Sequence, residues 1–162
     1  MLDSRVPDCD SLSGPRGRRM LSTVERVVFL KGVQLFTEIP GSELARVAQV
    51  AEELELPPDV EVMREGDLGD SLYLVLEGRV TVYKGGREVA RLGPRECVGE
   101  LALLDSEPRS ATVRTAEPTR MLKLEREAFY ELMNDHLEIT RGIMRVLTRR
   151  LRETTAEMGM ER

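Results

Sequence analysis

The spacing of apolar residues changes twice along the chain and divides it into helical and strand-forming segments. Between residues 22 and 51 apolar residues recur at helical spacing, in two stretches separated by a turn over residues 35–41. Ser22 and Glu25 have the spacing of a capping box, and Ser42 is predicted to cap the second helix. The pair Pro57-Pro58 ends the helical region.

From residue 59 to residue 124 apolar and polar residues alternate, which is typical of half-buried β-strands. The apolar members are Val60 and Val62; Leu72, Leu74 and Leu76; Val80 and Val82; Val89 and Leu92; Ala111 and Val113; and Met121, Leu122 and Leu124. Turns rich in glycine and aspartate separate them, and Gly85-Gly86 predicts a hairpin. Short strands with such regular turns indicate a sandwich, a barrel or a jelly roll.

Helical spacing returns after Glu125, first in a short helix and then, beyond residues 134–136, in a longer one. The longer helix carries one apolar stripe of Leu137, Thr140, Met144, Leu147 and Leu151, and a second of Ile139, Ile143 and Val146. Either one stripe packs on the domain and the other on a second protomer, or both form one wide buried face.

Composition and charge narrow the classes of function. The chain has 162 residues, which suits one domain, and its net charge of -5 is a poor match to DNA or to an anionic membrane. Cys9 and Cys97 lack metal-like spacing and are expected to be free thiols, and a single histidine, His136, argues against metal centres and Ser-His-Asp triads. Without an apolar run or a signal peptide, a cytoplasmic location is expected. The single histidine favours a binding protein over an enzyme.

The candidate chemistry lies in the loop over residues 99–113, which we call the cassette. Gly99 lets the backbone approach a ligand closely, and the Glu100 carboxylate can accept hydrogen bonds from a hydroxyl. The amides of the short helical run after Glu100 suit an anion, and Arg109 offers the planar fork that binds phosphate. Ser110 adds a hydroxyl.

The segments GELAL at 99–103 and PRSATV at 108–113 resemble the phosphate-binding cassette of cyclic nucleotide-binding domains. That family includes the catabolite activators, the regulatory subunits of cAMP-dependent kinase and the cyclic nucleotide-gated channels. The turns at residues 64–67, 70–73 and 77–80 also match the pattern, which extends over about residues 22–155. Val98 and Arg95 depart from it, because the family often has an aromatic residue and a glycine there.

The resemblance implies a mainly β fold: an eight-stranded, jelly-roll-like β-roll with N-terminal helices and a C-terminal lid or dimerisation helix. It implies that Glu100 binds the ribose 2′-hydroxyl and that Arg109, with the amides of Leu101, Ala102 and Ala111, holds the cyclic phosphate. Val82, Val89 and Leu101 match positions that wall the base. The domain organisation expected is a disordered arm (1–20), the β-roll with its N-terminal helices (21–134), and the C-terminal helix and tail (135–162).

Ser110 bears on the choice of base. The catabolite activators, which read cAMP, share a serine at this position, whereas a hydroxyl could also bond guanine. The expected ligand is therefore cAMP, with cGMP as the alternative. Arg145, Arg149 and Arg150 are candidates for lid contacts by their location on the last helix.

The residues after Leu151 are too few for a helix-turn-helix, so direct DNA binding is not expected. The predicted function is a sensor that signals by rearranging its C-terminal helix, either in a homodimer or towards an effector protein such as a membrane transporter. One alternative is a degenerate domain that docks or dimerises without a ligand. The other alternative is a cupin-like enzyme, which would need several histidine ligands, whereas this chain has only His136.

Overall fold

The computed structural model describes residues 20–159, so the predicted arm, with Cys9, lies outside the described residues except for Met20. Four α-helices and eight β-strands follow in chain order: α1 (Thr23–Lys31), α2 (Gly41–Val50), β1 (Glu52–Leu56), β2 (Glu61–Met63), β3 (Ser71–Glu77), β4 (Val80–Lys84), β5 (Arg87–Leu92), β6 (Cys97–Val98), β7 (Thr112–Thr115), β8 (Thr119–Glu125), α3 (Arg126–Asp135) and α4 (Leu137–Glu157). Two 3₁₀ helices, Gln34–Phe36 and Glu100–Leu103, lie before α2 and after β6.

The strands form two four-stranded antiparallel sheets, with the orders β1-β8-β3-β6 and β2-β7-β4-β5. This arrangement, with two helices before the first strand and two after the last, confirms the β-roll with flanking helices. The predicted hairpin is present, since Gly85 and Gly86 connect the paired strands β4 and β5. The strands β1 and β6 were not predicted individually from the alternation of apolar residues.

Strand β3 separates the two apolar cores and is buried on both faces. Leu72, Leu74 and Leu76 belong to the core under the helices, whereas Tyr73 and Val75 belong to the core between the sheets. Successive side chains of a strand point to opposite faces, which explains why six consecutive residues of β3 are buried. The first core includes Phe36 and Phe129, whose ring centroids lie 5.5 Å apart.

The helix starts test the predicted caps. The capping box of α1 is confirmed, because the Glu25 N–H donates to Ser22 Oγ at 3.2 Å and the Ser22 N–H donates to the Glu25 carboxylate at 2.7 Å. The predicted cap of α2 is wrong. That helix begins at Gly41, and the Pro40 carbonyl accepts from the Glu43 and Leu44 amides, which places Ser42 within the first turn.

Helix α4 settles which apolar stripe packs on the domain. Ile139, Ile143 and Val146 are buried, whereas Leu137, Met144 and Leu151 are more than 60% exposed. The single wide buried face is therefore wrong, since the first stripe faces outward. A Cβ atom on Gly142 would lie 3.0 Å from the Glu38 carbonyl oxygen, so the absence of a side chain lets α4 approach the segment before α2. No helix within residues 20–159 combines the length and the apolar character needed to cross a membrane.

Candidate functional site

The cassette leaves the barrel through a tight backbone turn. Gly99 follows β6 with φ 76°, in the left-handed region, and starts the 3₁₀ helix that runs from Glu100 to Leu103. Ala102 and Leu103 are buried and fix this helix against the barrel, whereas Leu101 is 55% exposed. The short helix thus presents Glu100 and Leu101 towards the opening and anchors itself through its other side.

Arg109 is the buried cation of the cassette, with 5% of its surface exposed. Its Nη2 donates to the Ser71 carbonyl at 2.8 Å. Its backbone N–H donates to Asp67 and its carbonyl accepts from Gly66, at 2.8 Å and 2.9 Å. The turn before β3 therefore holds both the main chain and the guanidinium, which pre-orders the group for an anion at low cost in side-chain entropy.

Glu100 is joined to the C-terminal helix. Its Oε1 accepts from Arg150 Nη2 at 2.5 Å, and the same Arg150 nitrogen donates to Gln34 Oε1 at 3.1 Å. Arg149, the next residue, pairs with Glu38. One of the three lid candidates thus contacts the cassette, a second contacts the segment before α2, and the third, Arg145, is exposed.

Between the cassette and the strands lies an open cavity of about 500 Å³. Eight of the nine predicted site residues line it: Val82, Gly99, Glu100, Leu101, Ala102, Arg109, Ser110 and Ala111. The remaining lining residues are Met63, Ala90, Leu92, Cys97, Val98, Asp105, Glu107, Pro108 and Val113. The charged and hydroxyl groups come from the cassette, and the side chains from the strands are apolar apart from the Cys97 thiol.

Val89 is the predicted site residue that the cavity does not include. Its side chain is 58% exposed, and Ala90 and Leu92 line the cavity in its place. A register shift between Val82 and Tyr83 sets Ala90 directly opposite Val82, so the residues on the inner face of β5 are Ala90 and Leu92. Val89 was predicted as a wall residue from the family resemblance, and the register shift turns it outward in this structure.

Two of the predicted hydrogen-bond donors differ in their surroundings: the Ala102 amide already has a partner, whereas the Ser110 side chain is exposed. The Ala102 N–H donates to the Gly99 carbonyl at 3.0 Å, within the turn that begins the 3₁₀ helix. An anion that binds this amide would have to share it or draw it away from Gly99. Ser110 is exposed at the mouth of the cavity, and its hydroxyl is open to a ligand or to water.

Cys97 is the cavity residue whose ionisation is most strongly perturbed. Burial, assisted by the nearby Glu100 carboxylate and partly opposed by Arg150, raises the pKa of the Cys97 thiol to about 12. Its Sγ lies 4.0 Å from Glu100 Oε2. The thiol therefore stays protonated at neutral pH, and its role in the cavity is that of a small, weakly polar wall.

Comparison with known proteins identifies the family to which the chain is similar. Residues 53–136 match the family model described as cyclic nucleotide-binding domain. The cyclic AMP receptor protein of Thermus thermophilus is 34% identical over 136 residues, which are 81% of this chain and 63% of that protein. The chain thus spans less than two thirds of the length of this curated relative.

Two solved structures share the fold. The N-terminal domain of a transcriptional regulator from Streptomyces coelicolor has a TM-score of 0.75 and 30% identity, covering 80% of this chain and 94% of that one. The regulatory domain of Toxoplasma gondii PKA, crystallised with cAMP, has a TM-score of 0.66 and 27% identity, covering 81% and 50%. With more than half of the sequence inside the matching family model, this chain belongs to the cyclic nucleotide-binding domain family.

Proposed function

We propose that the chain is a cAMP sensor whose cavity holds the ligand between the cassette and the apolar strands. The observation that carries the proposal is the buried Arg109, which is held by the Ser71 carbonyl and lines the same cavity as Glu100. Arg109 would bind the cyclic phosphate and Glu100 the ribose hydroxyl, each by a charge-assisted hydrogen bond. The relative named cyclic AMP receptor protein and the related domain crystallised with cAMP support this ligand.

The strand side of the cavity favours a purine that is bound by contact rather than by hydrogen bonds. Met63, Val82, Leu92 and Val113 are apolar, and Ala90 is small enough to leave room for a ring. Such a wall suits adenine, which needs no polar partner for an exocyclic carbonyl. The Ser110 hydroxyl in the cassette could instead form a hydrogen bond with guanine, and cGMP is therefore the competing ligand to test.

Calorimetric titration with cAMP and with cGMP tests the ligand. We expect saturable heat and a rise in the unfolding temperature with cAMP, and weaker binding of cGMP. Thermal stabilisation follows because a ligand that binds only the folded state stabilises it by an amount that grows with the logarithm of its concentration above Kd. The absence of both heat and stabilisation at millimolar cAMP would contradict the proposal and favour a docking module without ligand.

The contact between Arg150 and Glu100 gives a route from the ligand to α4. A ribose hydroxyl on Glu100 would share the carboxylate that Arg150 now holds, and Arg150 also contacts Gln34. Ligand binding is therefore proposed to shift α4 between two positions, by no more than its difference in affinity for the two. Hydrogen exchange of the α4 amides with and without cAMP measures this, and identical protection would argue against it.

The outward stripe of α4 is proposed to pair with a second copy of the chain, as one route by which the sensor signals. Intervals of three and four residues alternate along α4 through Leu137, Thr140, Met144, Leu147, Leu151 and Thr154. Of these, Leu137, Met144 and Leu151 are each more than 60% exposed in the single chain. Such spacing is typical of a two-stranded coiled coil, and pairing would remove that apolar surface from water.

Charged residues in the seam should abolish the dimer. For the double variant Met144→Glu with Leu151→Glu we expect a monomer at concentrations where the wild type is dimeric, with the dimer weakened at least about a hundredfold. Light scattering coupled to gel filtration measures the mass. The control Val24→Glu with Val28→Glu places the same two charges on the exposed face of α1 and should leave the mass unchanged. A wild-type monomer at high concentration would remove this proposal.

A further inference from the structure

The C-terminal end of the 3₁₀ helix Glu100–Leu103, which we call the cassette helix, is held by two side chains of α3. Arg126 Nη1 donates to the Asp105 carbonyl at 2.6 Å and lies 3.4 Å from the Ala102 carbonyl. The Tyr130 hydroxyl donates to the Leu104 carbonyl at 3.1 Å. These three carbonyls belong to the last turn of the cassette helix and the residues that follow it.

The last carbonyls of a helix lack partners within it and carry its negative partial charge, so a guanidinium and a hydroxyl stabilise them. In a helix of only four residues, Glu100–Leu103, the backbone bonds are too few to fix its orientation. External bonds at the far end therefore act together with the buried Ala102 and Leu103 side chains in setting where its near end points. The near end carries Glu100 and the amides that face the cavity.

Arg126 is itself fixed to the same short segment as the proposed phosphate ligand. Its backbone N–H donates to the Asp70 carbonyl at 2.7 Å, and the guanidinium of Arg109 donates to the next carbonyl, that of Ser71, at 2.8 Å. The two arginines are thus positioned by consecutive peptide groups. A shift of the cassette helix relative to Arg109 requires the Arg126 contacts to break.

We propose that Arg126 and Tyr130 are positioning residues that hold the cassette helix and thereby set the affinity for the cyclic nucleotide. Neither residue lines the ligand cavity; both line a separate groove on the outer side of α3. Their effect on affinity therefore passes through the cassette backbone. The part of the inference that concerns affinity rests on the proposed function, whereas the part that concerns the cassette helix does not.

Affinity is measured by calorimetry with cAMP on Arg126→Ala, Arg126→Lys and Tyr130→Phe. We expect Kd to rise about tenfold for Arg126→Ala and about threefold for Tyr130→Phe, in line with the loss of one or two hydrogen bonds. Arg126→Lys keeps the charge and one donor, and should recover part of the affinity. The control Arg46→Ala removes an equal charge from an exposed pair with Glu43 on α2 and should not change Kd.

Amide hydrogen exchange in the ligand-free protein gives the readout that does not depend on the ligand. The Leu104 and Asp105 amides both donate to the Leu101 carbonyl, at 2.9 Å and 3.1 Å. Their exchange should be about tenfold faster in Arg126→Ala and moderately faster in Tyr130→Phe. Exchange in α1, and the midpoint of urea unfolding of Tyr130→Phe, should stay close to the wild type.

Faster exchange together with weaker binding supports the inference. Unchanged exchange at Leu104 and Asp105 overturns it, and so does faster exchange with unchanged or tighter binding. If the wild type binds no cAMP, the proposed function fails on its own, and the exchange rates alone decide whether α3 holds the cassette helix. If Arg126→Ala does not fold, Tyr130→Phe, which loses only one oxygen atom at an exposed ring, provides the decision.

Discussion

Replacing Arg109 by leucine is expected to weaken cAMP binding by about thirtyfold to several thousandfold. The variant would leave the phosphate in the cavity without its charged partner, and truncating one member of a buried charge pair costs roughly 2–5 kcal/mol. The fold should survive, because the bonds to Asp67 and Gly66 use the Arg109 main chain. Calorimetry measures the affinity, and circular dichroism with urea unfolding checks the fold.

Two further variants separate charge from geometry in this experiment. Arg109→Lys keeps the charge but loses the planar fork, and an intermediate affinity is expected. Arg114→Leu removes a guanidinium from β7, a few residues further on, at an exposed position outside the cavity, and should bind cAMP as the wild type does. An unchanged Kd in Arg109→Leu would show that the phosphate binds elsewhere.

The sequence was most informative where local chemistry and long-range packing demand the same residues. Gly99, Glu100 and Arg109 were predicted from one short loop, and the structure brings all three to the same cavity. The alternation of Leu72, Leu74 and Leu76 predicted strand β3, although the structure buries the side chains on both faces of this strand. The capping box at Ser22 is another such case, because its two bonds span only three residues.

The predictions failed where tertiary contacts decide the outcome. Strand β1 has the sequence EELEL, which alternates at Leu54 and Leu56 but follows α2 directly and consists of residues that seldom favour strands, so that it forms through its pairing with β8. Glu53 in this strand forms salt bridges with Arg26 and Arg120, at 3.5 Å and 3.0 Å, and both arginines are distant in the chain. Strand β6 has two residues and exists through its pairing with β3.

The base wall shows the same limit at the level of one residue. Whether Val89 or Ala90 faces the cavity depends on the register shift between β4 and β5, which apolar content alone does not reveal. The contact between Arg150 and Glu100 joins residues 50 positions apart and needs α4 to be seated on the domain. Such seating depends on Gly142 and the buried stripe, so the lid contact follows from packing and not from a motif.

The substitution Gly99→Ala is expected to destabilise the protein and to weaken ligand binding together. A residue with a side chain at φ 76° costs about 1–2 kcal/mol, and the added Cβ would lie 2.6 Å from the Ser71 carbonyl oxygen and against the Arg109 guanidinium. Relief of such contacts typically costs a further 1–3 kcal/mol or so. We expect the free energy of unfolding to fall by about 2–5 kcal/mol and Kd to rise at least tenfold, because Arg109 must move.

Two other glycines separate the two causes, because each carries only one of them. Gly66 has φ 88° with no atom within 4 Å of an added Cβ, so Gly66→Ala should lose about 1–2 kcal/mol of stability and keep its affinity. Gly69 lies outside the left-handed region, yet its Cβ would meet the Arg109 guanidinium, so Gly69→Ala should lose affinity without the backbone penalty. Urea unfolding and calorimetry on the three variants measure both quantities. If Gly69→Ala binds cAMP as the wild type does, the position of Arg109 does not set the affinity, and the loss in Gly99→Ala must come from the cassette backbone alone.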